Sequence, residues 1–165
     1  MPDSDPPFVV RRATETDLPA VGRLGAALVR EHFAFDAKRF MAPPPDIERG
    51  YAWFLGTQLQ EDDVAVFVAE RGGAIVGYVF VGVEPQSWKE LREQAGFIHD
   101  VLVAPEAQRH GIARALIEAA CEWFQSLGMP RVLLWTAEKN DAAQQLFLRS
   151  GFRRTMIEMT RELDG

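Results

Sequence analysis

The 165-residue chain contains a single cysteine, Cys121, so no disulfide can close within it and no Cys-x-x-Cys pair can hold zinc. Its three histidines never fall at His-x-x-x-His spacing, which leaves no helical metal motif. No basic-flanked apolar segment opens the sequence, and no run of about eighteen residues avoids charge, so neither a secretory leader nor a spanning helix is predicted. Basic residues are outnumbered, 18 Lys plus Arg against 24 Asp plus Glu for a net charge of −6, so nucleic acid and anionic membrane are not expected partners. There is no G-x-x-x-x-G-K-[ST], no G-x-G-x-x-G following a strand, no internal repeat and no low-complexity tract. A reducing, cytoplasmic setting is the expectation.

With 47% apolar and 25% charged residues the composition is that of an ordinary globular protein. A chain of this size buries roughly 70% of its unfolded surface, enough for one core without staples. Residues 1–7 are rich in Pro and Asp and read as a disordered tail, leaving residues 8–165 as a single domain. A strand is predicted at residues 8–12. Thr14 and Asp17 have the form of a capping box ahead of Leu18, Val21, Leu24, Leu28 and Val29 at helical spacing. Pro43, Pro44 and Pro45 break the chain before a second helical stripe at Ile47, Tyr51, Phe54, Leu55 and Leu59.

Residues 64–69 and 75–83 are β-branched and aromatic and meet through Arg71-Gly72-Gly73, a hairpin pattern. A polar loop over 84–94 and a strand at 96–103 follow. The next helix, about 111–127, carries Ile112, Leu116, Ala119, Trp123 and Leu127 on one stripe and includes Cys121 as packing. A strand at 131–136, a short helix at about 141–149 and a last strand near 152–161 complete the order βααβββαβαβ. Such an order implies an α/β fold with a mixed sheet, parallel where strand 101–103 meets strand 132–135.

The stretch with chemical content runs from Val101, Leu102 and Val103 through Gln108, Arg109, His110 and Gly111 into a helix beginning Ile112-Ala113-Arg114. A strand that feeds a helix start in this way offers unpaired backbone N–H groups and a positive dipole end to an anion. Gly111 and Ala113 leave room for a phosphate near the main chain, and Arg109, His110 and Arg114 can add charge. The same residues also fit a plain solvated connection.

Gln108-x-x-Gly111-x-Ala113 is similar to the Gln/Arg-x-x-Gly-x-Gly/Ala signature of the GCN5-related N-acetyltransferase (GNAT) family. The resemblance extends upstream through Val101 to Glu106, downstream to Asn140 and to Leu146-Phe147-Leu148-Arg149-Ser150-Gly151-Phe152, and to the element order. It implies an acetyl-CoA N-acyltransferase fold with acetyl-CoA as cosubstrate. Main-chain groups of Val101, Leu102 and Val103 would run beside the pantetheine arm, and residues 109–114 would hold the pyrophosphate. Asn140 would contact the arm, or cap the next helix.

Two residues depart from the family pattern. Arg109 stands where glycine is frequent, and Phe147 stands where tyrosine is the usual proposed acid for the leaving thiolate. The implied reaction is direct attack by an amine of a small molecule or peptide, with His99 or Asp100 as the base that takes its proton. Regular alternation places these two on opposite faces of their strand, so only one could face the thioester. His99 and Asp100 also fit structural roles, as do Tyr78, Glu84 and Trp88 near the same cleft. The alternatives are a catalytically silent CoA-binding module, motivated by Phe147, and an O-acyl or other acyl-CoA transferase. Family resemblance further implies a homodimer through the late strands.

Overall fold

The computed structural model describes residues 7–164. Apart from Pro7, the stretch read as a tail lies outside these. In chain order the elements are β1 (Phe8–Arg12), α1 (Leu18–Phe35), α2 (Ile47–Gln58), β2 (Val64–Arg71), β3 (Ala74–Glu84), β4 (Ala95–Val103), α3 (Ile112–Ser126), β5 (Val132–Leu134) and α4 (Asp141–Arg149). The strands form one sheet in the order β1-β2-β3-β4-β5. The first four are antiparallel neighbours, and β5 joins parallel to β4. The β2–β3 turn is made by Gly72 and Gly73, both at positive φ, as a tight hairpin requires.

Apolar alternation along the strands serves both faces of the sheet. One face carries Val79, Val81, Ile98 and Val103 against Ile112, Leu116, Ile117, Ala120 and Phe124 of α3. The other carries Val66, Val68, Tyr78 and Phe80 against Val21, Leu24 and Leu55 of α1 and α2. The predicted Thr14–Asp17 box forms: the Asp17 carboxylate accepts from the Thr14 N–H at 2.8 Å, and the Asp17 N–H donates to the Thr14 carbonyl. Asp17 is only 5% exposed, and the Arg11 guanidinium donates to both its oxygens at 2.7 and 2.9 Å. That pairing holds the Asp17 carboxyl at about 2. Among the described residues no helix is long and apolar enough to cross a membrane.

The mixed α/β sheet is as expected, with two corrections. The parallel pairing expected at residues 101–103 is made instead by Gly96, Phe97 and Ile98, because β5 is only three residues long. No strand forms over 152–161. A strand needs a neighbour as well as β-forming residues, and the three-residue β5 gains none from its own chain on its outer edge. Met156, Ile157, Met159 and Leu163 are left 80–88% exposed. The segment is tied down by an ion pair from Glu158 to Arg39 and by Arg154 donating to Gln144 Oε1 at 2.6 Å.

Candidate active site

β4 parts from β5 halfway along its length. Gly96, Phe97 and Ile98 pair with Val132, Leu133 and Leu134, and there the parallel ladder stops. Val101, Leu102 and Val103 continue against Val79, Tyr78 and Gly77 of β3, with no strand on their other side. An open strand edge of this kind can take an extended ligand as if it were one more strand.

β4 ends at a single 3₁₀ turn and the loop leading to α3. The Gln108 side-chain amide donates to the Val103 carbonyl at 3.1 Å and pins this loop to the strand. The loop then turns through two left-handed residues, Arg109 at φ 66° and Gly111 at φ 79°. Arg109 thus adopts, at a steric cost of about 1–2 kcal/mol, the conformation glycine would take freely. The first helical hydrogen bond runs from the Ala115 N–H to the Gly111 carbonyl, so the N–H groups of Ile112, Ala113 and Arg114 precede it. A Cβ placed on Gly111 would meet nothing within 4 Å. The space outside this helix start is therefore open, and a diphosphate fits the donor set.

His99 is an extra residue in the β3–β4 ladder, because Phe80 pairs with Asp100 while Val81 pairs with Ile98. This bulge overturns the expectation that His99 and Asp100 face opposite ways, since one unpaired residue resets the alternation beyond it. The His99 ring lies 4.9 Å from the Phe80 ring and stacks on Phe97 at 5.2 Å. The Asp100 carboxylate accepts from the hydroxyls of Tyr51 and, at 3.2 Å, Tyr78. Both side chains therefore lie on the face covered by α1 and α2.

Their surroundings differ. Asp100 is partly buried, and desolvation pushes its pKa up against the opposing pull of the two tyrosine hydroxyls. Burial and the neighbouring Asp100 charge push both tyrosines upward in turn. His99 instead opens onto a cleft of about 230 Å³ that it shares with Glu84, Glu90, Arg92, Phe97 and Trp135. Its Nε2 lies 3.2 Å from Glu84 Oε1. A carboxylate beside Nε2 favours the proton on that nitrogen and leaves Nδ1 bare to accept another.

The remaining predicted positions do not line this cleft. Asn140 caps α4 by accepting from the Ala143 N–H at 3.1 Å. Phe147 is buried in the same cluster as Val103, Ala107 and Ile112, with its ring against Phe152. His110 Nδ1 meets the Ala107 carbonyl at 3.2 Å, and Arg114 is exposed on the first turn of α3. The Cys121 thiol is half-buried and its pKa is pushed up by desolvation and by Glu118 and Glu122, which suits packing rather than nucleophilic attack. Among the described residues no group of His, Cys, Asp and Glu could hold a metal.

Sequence reasoning missed Tyr51 as the partner of Asp100 and passed over Glu84 as a solvated strand end. Glu84 was within reach, because it shares a period-2 face with Gly82, Phe80 and Tyr78, but only the bulged register brings His99 to it. Tyr51 carried no local signal.

The model of the acetyltransferase (GNAT) family matches residues 26–152. A mycothiol acetyltransferase of Pseudarthrobacter chlorophenolicus is 35% identical over 104 residues, 61% of this chain and 32% of that protein. An uncharacterized N-acetyltransferase of Archaeoglobus fulgidus is 30% identical over 149 residues, covering 88% of this chain and 92% of its own. Across several curated relatives the matched region spans between 29% and 46% of their length. Among solved structures, the aminoglycoside N-acetyltransferase AAC(6')-Iy in complex with CoA superposes with a TM-score of 0.79 at 19% identity, covering 100% of this chain and 99% of its own. The family match begins within α1 and runs through the bulged strand and its loop to Phe152, so the chain belongs to the acetyltransferase (GNAT) family.

Proposed function

We propose that this chain is an acetyl-CoA-dependent N-acetyltransferase that modifies a primary amine of a small molecule, working as one domain over residues 8–165 in the cytoplasm. The observation that carries the reading is the half-parted β4–β5 pair beside a helix start held open by Gly111. The open edge of residues 101–103 suits an amide-bearing arm, and the N–H groups of residues 112–114 suit the diphosphate behind it. The names of the relatives support an amine acceptor, since the AAC(6')-Iy structure holds CoA and related proteins are named for mycothiol and aminoglycosides.

Bound acetyl-CoA would supply an acetyl group as a thioester, whose C–S bond breaks as the acceptor nitrogen forms the new C–N bond and sulfur leaves as thiolate. His99 is the base: its Nδ1 takes one proton of the acceptor ammonium while Glu84 sits where the imidazolium charge forms, and the second proton on nitrogen passes to solvent as the thiolate leaves and the amide forms. Asp100 supports the bulge from beneath, because its carboxylate is already engaged by Tyr51 and Tyr78. Phe147 has no proton to give, and a thiol of reference pKa about 8.5 leaves as thiolate near neutrality without an acid.

The homodimer reading is supported by the apolar residues Met156, Ile157, Met159 and Leu163, which are exposed in a chain whose β5 has a free outer edge. A second copy carries both halves of that complementarity and closes it by two-fold symmetry. Calorimetry with acetyl-CoA, followed by thiol release with a panel of amines, tests the catalytic reading. Cofactor affinity without amine-dependent turnover would instead identify a silent CoA-binding module.

A further inference from the structure

The cleft beside His99 has an aromatic wall. Phe54, Phe80, His99, Phe97 and Trp135 follow one another with ring centroids 5.8, 4.9, 5.2 and 5.3 Å apart. The inner rings Phe80 and Phe97 are buried, whereas Trp135 at the far end is 72% exposed at the mouth of the cleft. The exposed indole, held edge-on to Phe97, offers a flat apolar ligand a ring surface at the cleft mouth.

The charges in the cleft nearly cancel. Arg92 is engaged by Glu90 and donates to the Pro85 carbonyl at 2.9 Å. Glu84 is left with His99 alone, so the cleft carries one unmatched negative charge whenever the imidazole is neutral. The side-chain acceptors left in the cleft are carboxylate oxygens of Glu84 and Glu90, which bind a cation more strongly than a neutral hydroxyl. The volume of about 230 Å³ falls below the roughly 300–1,000 Å³ of pockets for multi-ring ligands.

Resting on the acetyl-transfer reading above, we infer that the acceptor is a monocationic primary amine carried one or two methylenes from a single flat ring. The ring packs against the exposed face of Trp135 at the edge of Phe97, and the nitrogen is held beside the Glu84–His99 pair. This acceptor class differs from the polyhydroxylated, polycationic amines for which the AAC(6')-Iy structure is named.

The test measures amine binding directly, by calorimetry on the full chain with CoA present, using 2-phenylethylamine, n-butylamine and kanamycin. Phenylethylamine is expected to bind at least tenfold more tightly than either of the others. Trp135→Ala, at an exposed position, is expected to reduce its preference over n-butylamine below threefold. Equal or tighter kanamycin binding, a preference untouched by Trp135→Ala, or no binding of phenylethylamine would overturn the inference. Thiol release from acetyl-CoA separates the two readings. Phenylethylamine binding without thiol release removes the transfer activity and keeps the ligand class, whereas kanamycin turnover without phenylethylamine affinity does the reverse.

Discussion

Tyr51→Phe removes one hydroxyl and leaves a ring of the same shape. The ring matters to packing, because Gly25 of α1 has no Cβ and any Cβ there would overlap the Tyr51 ring. Phenylalanine keeps that helix contact, so the change isolates the hydrogen bond to the partly buried Asp100 carboxylate. A hydrogen bond to a charged group is worth about 1.5–3 kcal/mol, and since Tyr78 remains as a second donor the expected loss is about 2 kcal/mol. For a chain of this size that lowers Tm by about 4–8 °C.

The loss should also depend on pH. Desolvation raises the Asp100 pKa in the folded state above its unfolded value of 3.8. Its contribution to stability is therefore complete below that value and is lost as pH rises through the folded pKa. Removing the Tyr51 hydroxyl destabilises the charged form more than the neutral one, so the folded pKa rises again. The difference between wild type and variant in urea denaturation should be about 2 kcal/mol near pH 8 and shrink towards about 1 kcal/mol as pH falls through the raised Asp100 pKa, where a neutral bond replaces a charged one. A difference that stays constant across this range would show that Asp100 is not the charged acceptor. Affinity for acetyl-CoA should be unchanged, because its proposed donors lie at the α3 start.

Gly111→Val should weaken acetyl-CoA binding at least tenfold by calorimetry, since its side chain enters the open space at the helix start; the backbone cost at φ 79° is about 2 kcal/mol, and unchanged affinity would make the loop a plain connector. Asp17→Asn should cost about 2 kcal/mol in urea denaturation at neutral pH, from a carboxyl held at about 2 against 3.8 unfolded. Because that pKa is depressed, the stabilisation is complete above 3.8 and disappears as pH falls through about 2, so the two proteins should converge in acid. His99→Gln should flatten the acidic limb of the kcat/KM profile, and Glu84→Gln should change kcat more than KM; an unaltered profile in the first variant removes His99 as base. Deleting residues 153–164 should halve the mass seen by sedimentation equilibrium if the tail joins two copies, and an unchanged mass would dismiss that interface.

Much of the fold was readable locally. Three consecutive prolines separate α1 from α2, two glycines turn β2 into β3, and the apolar stripe of α3 faces the sheet it was expected to cover. These are signals within a few residues of one another, where backbone sterics and side-chain period act directly. The final strand misled because β-propensity describes one chain segment and pairing needs two. Arg109 departs from glycine in its loop yet takes the left-handed conformation all the same, held by the Gln108 contact before it and the helix after it.

The amino-acid order alone determined the helix start proposed for the diphosphate, since Gly111, the preceding strand and the following helix are contiguous and their unpaired amides follow from helix geometry. Tertiary structure alone decided which groups surround His99 in the proposed site. A single unpaired residue at His99 turns two neighbours onto one face, sends Asp100 to Tyr51 across forty-nine residues and brings His99 to Glu84. Register and helix packing are collective outcomes of the whole core, so no local pattern encodes them.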